Sequence, residues 1–115
     1  MSSHSILVVD DEKIQRDSLA GFLRKKGYQS YQAPGAVHAV ELIRRHTIDV
    51  VLTDYKMPGQ TGMDLLRQVM EINPEIAVIM MTAYGNIGDA VEAMKAGAFD
   101  YLTKPVDLDE LEILI

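Results

Sequence analysis

Three runs of consecutive apolar residues limit what this chain can fold into. They occupy residues 6–9, 50–52 and 76–81. The runs are too short for helices, and they lack the alternation of polar and apolar residues that marks a half-exposed strand. Uninterrupted apolar strands are typical of parallel sheets whose two faces are both covered by helices. The chain is therefore expected to fold around a buried parallel sheet.

Amphipathic helical patterns alternate with these runs. Gly27 is suited to close the first helix, Pro34-Gly35 to open the second, and Asn73-Pro74 to stop the third. Thr61 and Asp107 are placed to cap the third and fifth helices. The five inward faces are predicted to be Ile14, Leu19, Phe22 and Leu23; Ala36, Ala39, Val40 and Ile43; Leu65, Leu66, Val69 and Ile72; Ile87, Ala90, Val91 and Met94; and Leu108, Leu111, Leu114 and Ile115.

Two further strands complete the pattern. Residues 28–33 carry two tyrosines but no large aliphatic side chain, which suits an exposed edge strand, and residues 99–103 form a short last strand. Five strands alternating with five helices predict one α/β domain, residues 1–115, with a flavodoxin-like, doubly wound parallel sheet of strand order 2-1-3-4-5. The last helix is short and ends on apolar residues 113–115, so we expect an N-terminal fragment of a longer protein.

Composition narrows the classes of partner and compartment. The net charge of −6 and the pI near 4.9 argue against direct binding to nucleic acid. No apolar run approaches the roughly 20 residues of a membrane span, and the N-terminus lacks the features of a signal peptide. Cysteine is absent, which suits a reducing compartment. We expect a cytoplasmic domain without direct membrane or nucleic-acid contacts.

Polar side chains follow the predicted strands where each strand ends. In the 2-1-3-4-5 order the carboxyl ends of neighbouring parallel strands meet, which brings together Asp10, Asp11, Asp54, Thr82 and Lys104. Carboxylates a few ångströms apart repel by about 4 kcal/mol per pair at an effective dielectric of about 20, so a hard divalent cation is expected to hold them together. Two or three carboxylates with waters and a phosphate suit Mg²⁺.

The same five residues suggest a reaction. Phosphoryl transfer needs a nucleophile, charge neutralisation and positioning, and here Asp54 is placed as the nucleophile, Lys104 as the point charge and Thr82 as the hydroxyl donor. Taken singly, an Asp, Thr or Lys at a strand end is usually a turn-forming or solvated residue. Their joint placement at four strand ends is what favours the chemical interpretation.

These motifs closely resemble the receiver domain of two-component response regulators over essentially the whole chain. The matching elements are Asp10-Asp11, Asp54 with Met57-Pro58-Gly59, Thr82-Ala83 and Lys104-Pro105. The resemblance implies that Asp54 is the phosphoacceptor, that Asp11 binds Mg²⁺ directly and Asp10 through water, and that the backbone carbonyl of Lys56 is a further ligand. It also implies that Lys104 and Thr82 contact the phosphoryl oxygens and that the Lys104–Pro105 bond is cis.

The resemblance carries further expectations about switching and output. Thr82 and Tyr101 would form the conformational switch, and the fourth helix, fifth strand and fifth helix would form the output face and a homodimer interface. Tyr84-Gly85 and residues 90–105 are similar to receivers of the NtrC type. Such a receiver would take phosphate from a sensor histidine kinase and control an AAA+ ATPase and a DNA-binding domain in sigma-54-dependent transcription. It would be a phosphoacceptor, not an enzyme, although it catalyses its own phosphoryl transfer and slow dephosphorylation.

Several alternatives stay open or are disfavoured at this point. A stand-alone receiver or an assembly module that controls a non-transcriptional partner would share the same pattern. A phosphohydrolase of the haloacid dehalogenase type needs a second Asp two residues after the nucleophile, where this chain has Lys56. A flavodoxin needs a hydroxyl-rich phosphate loop, where this chain has acidic residues 10–12. Tyr84 is also predicted to slow the loss of phosphate, because it flanks the expected path of the attacking water.

Overall fold

The computed structural model describes residues 4–83 and 85–115 of the chain. Strands and helices alternate strictly along the sequence, as predicted. The elements are β1 (Ser5–Val9), α1 (Lys13–Lys25), β2 (Gln29–Ala33), α2 (Ala36–Arg45), β3 (Val50–Asp54), α3 (Gly62–Ile72), β4 (Ala77–Thr82), α4 (Ile87–Lys95), β5 (Asp100–Thr103) and α5 (Leu108–Leu114).

The five strands form one parallel sheet of order β2-β1-β3-β4-β5, which confirms the predicted topology. The apolar strands β1, β3 and β4 occupy its centre, and the polar strand β2 lies at one edge. Burial explains this order, because a strand covered on both faces must be apolar throughout, whereas an edge strand need not be.

The side chains of the central strands alternate between two hydrophobic cores. Leu7, Val9 and Val51 point into one core with α2 and α3, whereas Ile6, Val8 and Leu52 point into the other with α1 and α5. All six side chains are fully buried. The uninterrupted apolar runs therefore arise because each strand supplies both cores.

Local signals set the helix ends much as the sequence predicted. Thr61 and Asp64 form a reciprocal capping box at the start of α3, and the Asp107 carboxylate accepts hydrogen bonds from two backbone N–H groups at the start of α5. Gly27 follows α1 with φ of 94°, in the left-handed region that glycine tolerates best. The Lys104–Pro105 peptide bond is cis, as the family resemblance implied.

The predicted inward face of α4 is wrong. Ile87, Val91 and Met94 are 85%, 47% and 47% exposed, and the buried residue of this helix is Ala93. The helix meets the core through the small side chain of Ala93, and the rings of Tyr55 and Tyr101 pack against the same core. The large apolar residues of α4 face outward.

Three smaller predictions also fail. Ile14 in α1 is 84% exposed, Phe99 precedes β5 and is exposed, and Leu108 at the start of α5 is partly exposed. Ile14 and Leu108 lie in the first turns of their helices and Phe99 lies just before β5, so none of the three is covered by the core. Within the described residues, no helix is long and apolar enough to cross a membrane.

Candidate functional site

The predicted site residues lie at the carboxyl-terminal end of the sheet, where the central parallel strands end. Asp54 is the last residue of β3 and lies beside Met81 of β4, while Thr82 ends β4 and lies beside Thr103 of β5. Asp10 directly follows β1, and Lys104 directly follows β5. Because the strands are parallel, residues distant in sequence become neighbours here, and the structure brings together the five predicted at this edge.

Asp10 is held rigidly at this edge. Its backbone N–H donates to the carbonyl of Ala33 (3.2 Å), and its Oδ1 accepts from the backbone N–H of Glu12 (2.9 Å). Its own carbonyl accepts from Nη1 of Arg16 (2.8 Å). With only 2% of the residue exposed, this carboxylate has a fixed position from which Oδ2 faces the other charged groups.

Asp10, Asp11 and Asp54 form a cluster that could hold a metal ion. One carboxylate oxygen from each lies within 4.8 Å of the other two. Asp10 and Asp54 are buried and Asp11 is exposed. Hard oxygen donors at this spacing match the preference of Mg²⁺ and Ca²⁺, so the chemistry of the donor set fits the predicted cation.

The ammonium group of Lys104 lies among these carboxylates. Its Nζ is 3.2 Å from Oδ2 of Asp10 and 3.5 Å from Oδ2 of Asp54, and it donates to Oε1 of Gln15 at 3.0 Å. The Lys104 side chain is only 17% exposed. Lys104 thus partly neutralises the two buried carboxylates of the cluster, Asp10 and Asp54.

The pKa of Asp54 is raised above 3.8, the ordinary value for an aspartate. Burial is the main cause, because desolvation disfavours the carboxylate. The Lys104 ammonium acts in the opposite direction, whereas the Asp10 and Asp11 carboxylates raise the pKa further. The result is a poorly solvated carboxylate at the end of a buried strand, whose charge a cation would stabilise.

A polar cavity of about 280 Å³ opens above Asp54. Its lining includes Asp11, Thr82, Lys104 and Lys56, the residue whose carbonyl was predicted to bind the cation. A larger apolar groove of about 660 Å³ adjoins it between α1 and the loop that leads to α5. Gln15, Ala83 and Lys104 line both spaces, so the groove leads directly to the acidic site.

Of the two predicted switch residues, Thr82 lines this cavity and Tyr101 lies on β5. Thr82 is buried, and the ring of Tyr101 meets that of Tyr55 edge-on, with centroids 6.0 Å apart. The Tyr101 hydroxyl is buried and makes no hydrogen bond of ordinary geometry with the described residues. Burial raises the pKa of Tyr101, and the neighbouring Thr82 hydroxyl offsets part of this rise. Tyr84 lies outside the described residues.

The sequence did not predict three residues that contribute to the site. Gln15 and Arg16 reach Lys104 and Asp10 from α1, but a polar residue on a helix gives no sequence signal of such contacts. Gly62, the first residue of α3, also has no sequence signal that sets it apart. A Cβ atom there would lie 2.5 Å from the Asp54 carbonyl oxygen and 2.7 Å from Sδ of Met80, so the helix approaches the strand too closely for any side chain.

Several known proteins are similar to this chain in sequence. The model of the response regulator receiver domain family matches residues 6–115. The response regulator protein PilR of Pseudomonas aeruginosa is 41% identical over all of this chain and 26% of its own length. Transcriptional regulatory protein ZraR of Escherichia coli is 42% identical over 93% of the chain and 24% of its own length. This chain thus spans about a quarter of these relatives. Sporulation initiation phosphotransferase F of Bacillus subtilis is 37% identical over 96% of the chain and 90% of its own length.

Solved structures agree with the sequence relatives. A receiver domain from Clostridium thermocellum has a TM-score of 0.91 at 39% identity, covering 96% of this chain and 90% of that one. The beryllofluoride-activated NtrC4 receiver domain dimer has a TM-score of 0.89 at 31% identity, covering 95% and 90%. A Burkholderia pseudomallei response regulator with a phosphorylated aspartic acid and a calcium ion has a TM-score of 0.91 at 27% identity, covering 97% and 66%. The predicted likeness to NtrC-type receivers is confirmed, and the chain belongs to the receiver domain family of two-component response regulators.

Proposed function

We propose that Asp54 accepts a phosphoryl group from a phosphohistidine of a sensor histidine kinase, with Mg²⁺ held by Asp10, Asp11 and Asp54. The observation that carries this proposal is the buried Asp54 carboxylate, placed between a carboxylate cluster and the Lys104 ammonium under an open cavity. The phosphorylated aspartic acid of the Burkholderia regulator supports it by likeness.

The proposed transfer is a nucleophilic substitution at phosphorus. A carboxylate oxygen of Asp54 attacks the phosphorus of the phosphohistidine, and an acyl phosphate O–P bond forms. The N–P bond breaks, and its electron pair returns to the imidazole nitrogen, which then takes up a proton. Asp54 suits this role because its carboxylate is poorly solvated and lies at the floor of the cavity.

The site residues divide the work of binding and neutralising charge. Mg²⁺ would supply positive charge next to the transferring oxygens, and the backbone carbonyl of Lys56 is proposed as a further ligand. Lys104 neutralises the phosphoryl group from the other side, since its Nζ already lies 3.5 Å from Asp54. The Thr82 hydroxyl donates a hydrogen bond to a phosphoryl oxygen. Fixed donors of this kind are how proteins promote phosphoryl transfer.

Phosphorylation is proposed to act on the far face through Thr82 and Tyr101. The Tyr101 hydroxyl is buried next to the Thr82 hydroxyl, so a small displacement of Thr82 can change the balance between inward and outward positions of this ring. The phosphoryl group would shift a pre-existing equilibrium by binding one arrangement of Thr82 better than the other.

The apolar groove beside the site supports docking of the kinase. Ile14, Phe22 and Leu108 line it, and Ile14 is 84% exposed. A protein donor must place its phosphohistidine over Asp54. Its surface must therefore also cover the apolar groove that adjoins the cavity. The apolar groove therefore suits a helical donor that packs hydrophobic side chains there.

The output is proposed to be transcription activation in a longer regulator, of which residues 1–115 form the receiver domain. PilR and ZraR are about four times as long as the segment that this chain matches, and ZraR is named a transcriptional regulatory protein. We propose an AAA+ ATPase and a DNA-binding domain that act with the nitrogen sigma factor. The exposed apolar residues of α4 support homodimerisation through α4, β5 and α5, and the similar NtrC4 receiver domain is itself a dimer.

A second output is supported by one observation. Sporulation initiation phosphotransferase F matches this chain over 90% of its own length, so a receiver of this size can stand alone. In either case the chain is proposed to act in the cytoplasm as an acceptor that supports its own phosphorylation and slow dephosphorylation, without binding nucleic acid itself.

Intact mass spectrometry tests the phosphoacceptor. The wild type is incubated with Mg²⁺ and acetyl phosphate, alongside Asp54→Asn, a chelated sample and Glu75→Gln as a remote carboxylate control at the opposite sheet edge. We expect one phosphoryl adduct in the wild type and in Glu75→Gln, and none in the other two samples. An adduct that persists in Asp54→Asn would refute the assignment of the nucleophile.

A further inference from the structure

Lys104 has a neutral partner, Gln15, in addition to its two carboxylate partners. Its ammonium contacts oxygen atoms from three separate elements: Oδ2 of Asp10 after β1, Oδ2 of Asp54 on β3 and Oε1 of Gln15 on α1. The Gln15 contact, at 3.0 Å, is the shortest of the three and joins residues 89 positions apart in the sequence. It links α1 to the loop that follows β5.

The backbone around Gln15 is held in a fixed position relative to the site. The next residue, Arg16, donates from Nη1 to the Asp10 carbonyl (2.8 Å) and from Nε to Oε1 of Gln32 (3.3 Å). These bonds tie the first turn of α1 to the end of β1 and to β2. The Gln15 side chain therefore starts from a fixed backbone position, although the side chain itself is exposed.

The charges around Lys104 change during the proposed reaction, but the amide of Gln15 does not. Binding of a divalent cation by Asp10, Asp11 and Asp54 reduces the attraction of those carboxylates for the ammonium, and phosphorylation converts Asp54 from a carboxylate to an acyl phosphate. Of the three contacting oxygens, that of Gln15 is the one that belongs neither to a proposed metal ligand nor to the phosphoacceptor. The lysine stem, with four rotatable carbons, would otherwise lose orientation.

We propose that Gln15 is a positioning residue for phosphoryl transfer, which holds the Lys104 ammonium at the cavity while its ionic partners are occupied by the cation and the phosphoryl group. This inference rests on the proposed function. Gln15 lines the cavity above Asp54 together with Lys104, so the ammonium that it holds already lies where the phosphoryl oxygens would arrive.

The contact itself can be tested without any phosphorylation. In ¹⁵N-labelled protein at low temperature, a hydrogen-bonded lysine ammonium exchanges slowly with water and gives an observable NMR signal, which Lys104→Arg assigns. With Mg²⁺ added to occupy Asp10 and Asp54, we expect this signal in the wild type, its loss in Gln15→Met, and its retention in Gln15→Glu, which keeps an oxygen acceptor. A signal unchanged in Gln15→Met would overturn the inference.

The effect on the reaction is measured with acetyl phosphate and Mg²⁺. We expect Gln15→Met to lower the rate of adduct formation by about threefold to tenfold, the scale of losing one typical hydrogen bond, because Gln15 is exposed and water can partly replace its oxygen. Gln29→Met is the matched control, because Gln29 is also exposed and also accepts one side-chain hydrogen bond, from Ser5 (3.0 Å) at the opposite sheet edge.

The outcomes separate this inference from the proposed function. A wild type that forms no adduct refutes both, because no transfer then exists for Gln15 to assist. A wild type that forms the adduct while Gln15→Met matches its rate refutes the role of Gln15 alone. A rate lowered equally in Gln29→Met would show a general effect on stability and would also count against the inference.

Discussion

Replacing Asp54 with asparagine should stabilise the metal-free protein at neutral pH. Asp54 is 8% exposed, and its carboxylate oxygen lies within 4.8 Å of oxygens from Asp10 and Asp11. The substitution keeps the size of the side chain and removes its charge. Lys104 keeps Asp10 as an ionic partner at 3.2 Å, so the change leaves no isolated buried cation.

The magnitude follows from the charges around Asp54. At an effective dielectric of about 20, repulsion from Asp10, whose oxygen lies within 4.8 Å, costs at least about 3.5 kcal/mol, and attraction to Lys104 at 3.5 Å contributes about 5 kcal/mol. Asp11 is exposed, so solvent screens its repulsion to about 1–2 kcal/mol. These interactions nearly cancel, and the desolvation of the carboxylate decides the sign. We expect Asp54→Asn to raise the free energy of unfolding by about 1–2 kcal/mol.

The dependence on pH follows from the raised pKa of Asp54. A carboxyl group whose pKa is higher in the folded state than in the unfolded state favours folding when protonated, and this contribution is lost as the pH rises through the folded pKa. The unfolded value is 3.8. The stability gap between Asp54→Asn and wild type should therefore be small near pH 4, widen above it and then level off.

Urea unfolding followed by circular dichroism, from about pH 4 to about pH 8 in the presence of a chelator, measures this gap. Glu75→Gln is the control, because it makes the same chemical change at an exposed position and should alter stability by less than about 0.5 kcal/mol. Free Mg²⁺ at about ten times its dissociation constant should stabilise the wild type by about 1.4 kcal/mol and narrow the gap. An Asp54→Asn protein less stable than wild type at neutral pH without metal would refute the reasoning.

Two further substitutions test the packing beside the site, each by urea unfolding. Gly62→Ala should destabilise the protein by about 1–3 kcal/mol, because its Cβ would lie 2.5 Å from the Asp54 carbonyl oxygen, whereas Gly21→Ala, with no atom within 4 Å, should stabilise α1 by about 0.5–1 kcal/mol. Equal effects at the two glycines would contradict the close approach at Gly62. Tyr101→Phe should be neutral or stabilising by up to about 1 kcal/mol, because it removes a buried hydroxyl without a hydrogen bond to the described residues. Clear destabilisation would show that this hydroxyl is bonded in solution.

The sheet could be predicted because its signals are local. Each central strand supplies two cores, so its residues are uniformly apolar, and turn residues or helix caps separate the elements. The α4 prediction failed for a physical reason. That helix carries both alanines and large apolar residues at helical spacing, and the choice between them depends on how much room Tyr55 and Tyr101 leave beside the sheet. Periodicity contains no information about that space.

The strand order could be predicted because apolar runs mark the central strands and the polar strand β2 belongs at an edge. The site residues could be predicted because parallel strands bring their carboxyl ends together. Which groups from other elements reach these carboxyl ends depends on how the elements pack. Gln15 contacts Lys104 across 89 residues, and Gly62 lies against the Asp54 carbonyl. Such contacts depend on distances of a few ångströms between packed elements, which are set by the volumes of all the side chains between them and by no local pattern.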